Sequence, residues 1–273
     1  MSTHPLVTVC VLCYNQQTYV EHCLNSIKND TYPNKKIIVI DDGSTDRSVQ
    51  VIKDWQINNP EIIFKLITRE NKGITATLND LIDQVAGDYI CFIASDDMLY
   101  ENGIFNRMEI LLQHPDKYAV IGDAVVIDGD NKVLFNSAIE DLWHGNKSNY
   151  ETNEKLKYSV VNQWSVPGPV LLVKKDIYGI IGKYPEDLFA EDLNFYLRVI
   201  GLNMLVFLNK PVAYYRVHGH NTCGNTKYSK EICYTFVKSY LNNIKYYHGA
   251  LRLKIIKKML VRLGLYIYYS LKK

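Results

Sequence analysis

Polar side chains follow four apolar runs of the sequence, each at the point where the run ends. They are Tyr14-Asn15, Asp41-Asp42, Lys72 and Asp96-Asp97. Because the carboxyl ends of parallel strands meet at one ligand-binding edge of an α/β sheet, we expect these side chains to lie together. Adjacent carboxylates repel unless a cation balances them, and oxygen ligands favour Mg²⁺ or Mn²⁺. Asp96-Asp97 therefore predicts a divalent-metal site, whose shell a nucleotide diphosphate would complete.

Two further clusters lie downstream. Glu191-Asp192 opens a predicted helix, where carboxylates often serve only as N-caps. His218 follows the last predicted strand, and a single histidine is more often structural than a ligand. Neither GxGxxG nor GxxxxGK[ST] occurs in the chain, so a metal rather than a glycine-rich loop would have to neutralise the phosphates.

The elements that must position these residues alternate between strands and helices over about 125 residues. The strand runs are almost continuously apolar, which is typical of strands covered on both faces. The pattern predicts an α/β fold with a mainly parallel sheet flanked by helices. Predicted strands are 6–13, 36–41, 62–68, 89–94, 118–125, 170–173, 204–208 and 212–217; predicted helices are 18–28, 46–55, 74–85, 104–113, 176–181, 192–200, 229–247 and 251–269.

Residues 126–165 read as polar and irregular, with a hairpin around 128–131. No internal repeat and no Pro/Ser-rich linker divides the chain. We therefore predict one catalytic domain over residues 1–226 and a basic helical tail over residues 227–273.

The net charge of +2 conceals an asymmetry between these two parts. Residues 227–273 carry a charge of +10, whereas residues 1–226 carry −8. The acidic body argues against a nucleic-acid partner. In the tail, Lys254, Lys258 and Arg262 recur every four residues opposite a largely apolar face. Two interpretations stay open: a helix packed on the catalytic domain, or an interfacial helix on anionic lipid through residues 249–273.

The cysteines and the apolar runs of the sequence indicate the cellular compartment in which the protein is expected. Cys10 and Cys13 belong to an apolar strand run, so their side chains point to opposite faces, and we predict core thiols rather than a chelating or redox pair. No signal peptide is recognisable and no apolar stretch reaches the length of a spanning helix. We expect a cytoplasmic protein, peripheral on the cytoplasmic face of the inner membrane.

Taken together, the clusters resemble the signature of family 2 glycosyltransferases with the GT-A fold. The resemblance covers residues 5–222. The residues that carry it are Tyr14-Asn15, Ile40-Asp41-Asp42-Gly43-Ser44-Thr45-Asp46, Asn71-Lys72-Gly73 with Asn79, Gly87-Asp88-Tyr89-Ile90, Ser95-Asp96-Asp97, Glu191-Asp192 and Tyr215-Arg216-Val217-His218. The family often has Asp-x-Asp-Asp where this chain has Ala94-Ser95-Asp96-Asp97, so the first acid is missing here.

The resemblance implies a role for each matching position. Asp42 resembles the acid that hydrogen-bonds uracil, and Asp96 resembles the acid near the ribose and donor sugar. Asp97 matches the ligand of Mn²⁺ or Mg²⁺, and His218 matches a further metal ligand. Asp192 resembles the catalytic base, with Glu191 beside it. The remaining positions of the nucleotide-sugar pocket are Tyr14, Asn15, Asp41, Lys72 and Asn79.

The implied activity is inverting transfer of a sugar from a nucleotide-diphosphate donor, with UDP favoured, to a hydroxyl group. A lipid-linked or surface-glycan acceptor of O-antigen, lipopolysaccharide or capsule synthesis would fit such an enzyme. Two alternatives stay open from the sequence: a sugar nucleotidyltransferase, and a non-catalytic nucleotide- or sugar-binding module.

Overall fold

The computed structural model describes residues 4–189, 192–219 and 229–271. Its first half repeats a strand and a helix three times and then adds a fourth strand. The elements are β1 (Val7–Cys13), α1 (Val20–Asn29), β2 (Lys35–Asp41), α2 (Ser48–Asn58), β3 (Phe64–Thr68), α3 (Ile74–Gln84) and β4 (Tyr89–Ala94). β1 lies between β2 and β4, and all pairings among these four strands are parallel. Almost every residue of β1 and β4 is buried, as expected for strands with helices on both faces.

The second half adds strands of mixed direction. Its elements are β5 (Met98–Leu99), α4 (Gly103–Gln113), β6 (Ala119–Ile127), β7 (Val133–Phe135), α5 (Asn153–Asn162), β8 (Leu172–Lys174), α6 (Ile177–Ile181), α7 (Asp192–Gly201) and β9 (Leu205–Arg216). Within the described residues the strand order is β3-β2-β1-β4-β8-β6-β9-β5, with β7 paired to β6.

The predicted α/β class is confirmed, but the sheet is parallel only in part. β8 runs antiparallel to both β4 and β6, and β5 runs antiparallel to β9. An apolar run reports that a strand is buried on both faces, but it carries no information on strand direction. The consequence for function is that the parallel half alone collects the polar strand ends at one edge.

Two helices complete the described chain, α8 (Ser229–Asn243) and α9 (Gly249–Leu271). α8 packs on α7 through a buried amide pair, in which Asn243 Nδ2 donates to Asn194 Oδ1 at 2.9 Å. The Tyr247 hydroxyl, between the two helices, donates to the Leu197 carbonyl at 2.8 Å. The first tail helix is therefore joined to the core. The predicted domain boundary at residues 226 and 227 lies outside the described residues.

α9 packs by one face only. Ile255 is fully buried, and Lys258 Nζ donates to the Asn162 carbonyl at the end of α5, at 2.9 Å. The Arg262 guanidinium lies 4.4 Å from the centre of the Phe236 ring on α8. Two of the basic residues expected on a solvated or lipid-facing side thus contact the protein, because long basic side chains can cover apolar surface with their stems.

The opposite face of α9 is exposed and apolar. We call it the outer face of α9, and it consists of Leu253, Leu260, Val261, Ile267, Tyr268 and Leu271. These side chains recur at helical spacing and are 50–79% exposed. No helix among the described residues is both long and apolar enough to cross a bilayer.

The cysteines inside the described residues are core thiols. Cys10, Cys13, Cys23, Cys91 and Cys233 are all buried and unbridged. Burial raises the pKa of Cys13 to about 12 and that of Cys10 still further, so both thiols stay protonated near neutral pH. Cys223 lies outside the described residues.

Candidate active site

The sheet brings three of the predicted clusters side by side. Cys13 pairs with Asp41, and Leu12 pairs with Ala94, so β1, β2 and β4 end at the same level. Backbone hydrogen bonds continue one residue beyond the ends of β2 and β4. The Asp42 amide donates to the Cys13 carbonyl and the Ser95 amide to the Leu12 carbonyl, both at 2.9 Å. The loops that follow these strands therefore share one edge.

Asp41 and Asn15 are used to build the loops at this edge. Asp41 is buried and accepts a hydrogen bond from the Ser44 amide at 2.9 Å. Asn15 has a positive φ of 53°, and its Oδ1 accepts from the Thr45 amide at 2.8 Å. These bonds connect the loop after β1 to the loop after β2, whereas Tyr14 is about half exposed beside them.

Asp42 anchors the loop that follows β3. Its Oδ1 accepts from Arg69 Nε at 2.8 Å and from the Lys72 amide at 3.0 Å, and its Oδ2 accepts from the Gly73 amide at 2.8 Å. Gly73 has a φ of +86°, a conformation that favours glycine. The Lys72 side chain is 58% exposed. Arg69 carries the central contact and was not among the predicted site residues.

An open pocket of about 520 Å³ lies at the ends of β2 and β3. Its lining combines carboxylate, hydroxyl, guanidinium and amide groups from the two loops: Asp41, Gly43, Ser44, Val49, Thr68, Arg69, Glu70 and Asn71. The polar side chains of this wall, together with the apolar surface between them, suit a flat, hydrogen-bonding ligand of the size of a nucleoside.

Asn79, predicted in the nucleotide-sugar pocket, binds another segment of the chain. It lies on α3, its Nδ2 donates to the Tyr184 carbonyl at 2.9 Å, and its Oδ1 accepts from the Tyr184 amide at 3.0 Å. Thr75 on the same helix donates to the Leu188 carbonyl at 3.2 Å. Asn79 thus holds the segment that leads to α7, and its place in the nucleotide-sugar pocket stays a prediction.

That segment places Asp192 at the start of α7. The Phe189 amide donates to Thr235 Oγ1 on α8 at 3.0 Å, so the segment is held by α3 on one side and by α8 on the other. Asp192 is solvent-exposed and its Oδ1 accepts from the Leu193 amide at 2.7 Å. Glu191 lies outside the described residues.

Asp96 and His218 form a direct pair. His218 Nε2 lies 3.0 Å from Asp96 Oδ2, and the two side chains are 7% and 18% exposed respectively. The pair joins the loop after β4 to the segment after β9, although the two residues are 122 positions apart in the sequence. The sequence predicted both residues in the site but did not predict that they touch.

Asp97 points into the protein. It is buried, and its Oδ1 accepts from the Arg216 amide at 2.9 Å. Burial and the neighbouring charge of Asp96 together raise the pKa of Asp97 well above its usual range. The adjacent carboxylates therefore lie in unlike environments, one facing His218 and the other the core.

The Asp96–His218 pair is composed of groups that could hold a divalent cation. The 3.0 Å between Nε2 and Oδ2 is the length of a hydrogen bond, and two ligands bonded to one octahedral ion at about 2.1 Å would lie a similar distance apart. Among the described residues no group of three or more His, Cys, Asp or Glu side chains is arranged to hold a metal. A two-ligand site is the arrangement that leaves the remaining positions to substrate phosphates and water.

Besides Arg69, two further residues of the site were given no role from the sequence. Arg216 is fully buried, and its Nε donates to the Asp96 carbonyl at 2.7 Å. The ring of the half-buried Tyr19 contacts both the Arg216 guanidinium and the His218 imidazole. The position of Arg216, two residues before His218 at the end of a predicted strand, could have indicated that Arg216 belongs to the site. No signal in the sequence pointed to Tyr19.

The fold is shared with enzymes of known structure. Residues 1–349 of S. aureus TarS, in complex with UDP-GlcNAc, superpose with a TM-score of 0.71 over 94% of this chain and 72% of that TarS fragment, at 17% identity. The mannosyltransferase PcManGT from Pyrobaculum calidifontis, in complex with GDP-Man and Mn²⁺, superposes with a TM-score of 0.65 over the whole chain and 77% of PcManGT, also at 17% identity.

Sequence relatives agree with this fold. Glycosyltransferase GlyA of Streptococcus pneumoniae is 26% identical over 219 residues, which are 77% of this chain and 30% of GlyA. An uncharacterised glycosyltransferase of Haemophilus influenzae is 26% identical over 268 residues, which are 93% of this chain and 78% of the relative. The chain thus spans less than a third of GlyA, but most of the second relative.

The fold and these sequence relatives indicate one family of proteins. Residues 8–166, more than half of the chain, match the family described as Glycosyl transferase family 2. The chain belongs to glycosyltransferase family 2, and its fold is GT-A-like with a helical C-terminal region.

Proposed function

We propose that this enzyme transfers a sugar, with inversion, from a UDP-sugar to a hydroxyl of a lipid-linked or surface-glycan acceptor in O-antigen, lipopolysaccharide or capsule synthesis. The observation that carries the proposal is the Asp96–His218 pair, which lies at the same sheet edge as a nucleoside-sized pocket. A donor that spans the two would place its base in the pocket and its diphosphate at the pair.

In this proposal the two adjacent aspartates have separate tasks. Asp96 and His218 would hold Mn²⁺ or Mg²⁺, because a nitrogen and an oxygen ligand already lie 3.0 Å apart at the strand end. Asp97 would instead position the end of β9, because its Oδ1 is occupied by the Arg216 amide. This assignment replaces the sequence-based expectation that Asp97 binds the metal. The bound ion would supply positive charge to the departing diphosphate.

Asp42 would serve the base and the pocket wall together. A carboxylate offers about four acceptor positions, and Arg69 and two loop amides occupy three of them. The fourth remains for an N–H of the base. The exposed amine of Lys72 and the half-exposed ring of Tyr14 are placed to contact other parts of the nucleotide.

Asp192 would act as the general base on the acceptor hydroxyl. As a carboxylate, Asp192 can take the proton of an acceptor hydroxyl that lies within hydrogen-bond distance. Its exposure gives an acceptor access to the carboxylate. The acceptor oxygen would attack the anomeric carbon as the bond to the diphosphate breaks, so no covalent enzyme intermediate is needed. Glu191 stays a predicted neighbour of this step.

A panel of nucleotide sugars tests the transfer directly. We expect release of free UDP from at least one UDP-sugar when Mn²⁺ is present, and more rapid release when a lipid-linked glycan acceptor is added. Parallel reactions with GDP- and CDP-sugars identify the base preference. A nucleotidyltransferase would instead release pyrophosphate from UTP and a sugar phosphate, and a binding module would release nothing; either outcome contradicts the proposal.

We further propose that the outer face of α9 rests on anionic lipid at the cytoplasmic face of the inner membrane. Apart from Lys257, which is exposed between Leu253 and Leu260, the face is apolar, and Lys254 is a second exposed cation at its edge. α9 contains five basic residues and no acidic residue, so pairing with a second copy would oppose like charges. An anionic bilayer complements both the apolar stripe and its charges.

Vesicle co-sedimentation tests this surface. We expect the wild type to bind vesicles of phosphatidylglycerol and phosphatidylcholine, and the double variant L260E/I267E to bind at least about tenfold more weakly, because each buried apolar side chain contributes about 1.5–3 kcal/mol. I57E is the matched control, since Ile57 is an exposed isoleucine on α2. Equal binding by the wild type and the double variant, or self-association that the double variant abolishes, would contradict the proposal.

A further inference from the structure

Tyr19 lies beside the proposed metal pair, and its ring contacts the histidine of that pair rather than the aspartate. Its ring centre is 5.2 Å from that of His218, with 33° between the ring planes. The Arg216 guanidinium carbon lies 4.6 Å from the same ring centre. The tyrosine ring thus contacts both Arg216, the last residue of β9, and His218, which follows it.

The Arg216 side of this arrangement is rigid. Its Nη1 donates to the Asp128 carbonyl at 2.8 Å and its Nη2 to Asn131 Oδ1 at 2.8 Å, so the turn between β6 and β7 is bound to it. Its Nε donates to the carbonyl of Asp96 itself. A buried guanidinium with these three partners has little freedom to rotate.

The tyrosine is equally fixed. The Tyr19 amide donates to the Gln16 carbonyl at 3.0 Å, and its carbonyl accepts from the Cys23 amide at 3.1 Å in the first turn of α1. The turn between β6 and β7 closes over its hydroxyl: a Cβ placed on Gly129 would lie 3.2 Å from the hydroxyl oxygen. The ring is therefore held by α1, Arg216 and the turn.

We propose that Tyr19 is a positioning residue for His218. A tilted ring at this distance restricts rotation of the imidazole, so that Nε2 keeps facing Asp96 Oδ2. Groups that orient a metal-binding histidine affect metal affinity strongly, although they do not touch the ion. The inference rests on the proposed function, because it assumes that the Asp96–His218 pair holds the ion.

Titration calorimetry with UDP tests the inference without turnover. Wild type, Tyr19→Leu and Tyr19→Phe are each titrated in Mn²⁺ and again in EDTA. Removing a group that orients a metal ligand costs about 10–100-fold in metal affinity. Mn²⁺ should therefore increase the UDP affinity of Tyr19→Leu by a factor about ten times smaller than in the wild type. The UDP affinity of the variant in EDTA should stay at the wild-type value. Tyr19→Phe keeps the ring and should keep the gain.

Tyr100→Leu is the matched control, because Tyr100 makes a comparable tilted ring pair with Tyr214 at 5.0 Å elsewhere in the fold. A full Mn²⁺ gain in Tyr19→Leu would overturn the positioning role and leave the proposed function intact. An equal loss of affinity in Mn²⁺ and EDTA would also overturn it, since that pattern indicates general damage to the pocket. The absence of any Mn²⁺ gain in the wild type would overturn both the inference and the proposed metal site.

Discussion

Asp192→Asn is expected to lower kcat by about 10²–10⁴-fold, the range that a positioned general base contributes. The amide has nearly the same shape and can still accept the hydrogen bond from the Leu193 amide, so the start of α7 should be preserved. UDP affinity in Mn²⁺ should stay at the wild-type value, because Asp192 acts on the acceptor. The measurement is UDP release together with UDP titration on the same preparation.

Asp176→Asn is the control for this substitution. Asp176 is also an exposed aspartate next to the first turn of a helix, α6, and its side chain makes no capping bond there. Its variant should release UDP at the wild-type rate. Turnover of Asp192→Asn within a few-fold of the wild type would remove Asp192 from the mechanism.

The second large effect is expected from a comparison of the two adjacent aspartates. Loss of a group that only orients a metal ligand costs about 10–100-fold in metal affinity, so loss of a ligand should cost more than about 100-fold. Asp96→Asn should therefore abolish most of the Mn²⁺-dependent part of UDP binding. Asp97→Asn should keep most of it, because an asparagine Oδ1 can still accept from the Arg216 amide. UDP titrations with Mn²⁺ and with EDTA measure both variants.

The opposite ranking would restore the assignment made from sequence. If Asp97→Asn lost the Mn²⁺ gain and Asp96→Asn kept it, the carboxylate that now points into the core would have to turn outward when metal binds. The circular-dichroism spectrum of each variant serves as the control for folding, because Asp97 is buried and Asp96 is not.

The parallel half of the sheet could be predicted closely from the sequence. The bounds of β4 agree with the prediction, and those of β1 and β2 differ by one residue at one end. The reason is physical: a strand covered on both faces must be apolar throughout, and the polar residues that end it mark its boundary. The same rule located the acidic cluster at the end of β4.

Elements of the second half could not be predicted as well. α5 lies within a stretch read as irregular, although Leu156 and Val160 are buried four residues apart on it. β9 was read as two strands because Asn209-Lys210-Pro211 interrupts its apolar pattern. The structure keeps one strand by shifting the register against β6 at that place. A bulge depends on the partner strand, which the sequence of one strand does not contain.

In the site, the sequence identified the residue types but not their directions. It named Asp96, Asp97 and His218, but which of two neighbouring aspartates faces the histidine depends on how β9 returns to β4. The same limit applies to α9, where periodicity separated apolar from basic residues. It could not show that Lys258 and Arg262 would cover α5 and α8 while Leu260 and Ile267 stay exposed.

The most direct test of the central claim is a titration of the wild-type protein with UDP, once in Mn²⁺ and once in EDTA. A cation held by Asp96 and His218 and completed by the diphosphate should make UDP binding at least about tenfold tighter in Mn²⁺. That gain is the result we predict. Equal affinity in Mn²⁺ and EDTA, or no UDP binding in either, would contradict a metal-dependent nucleotide-sugar site at this edge of the sheet.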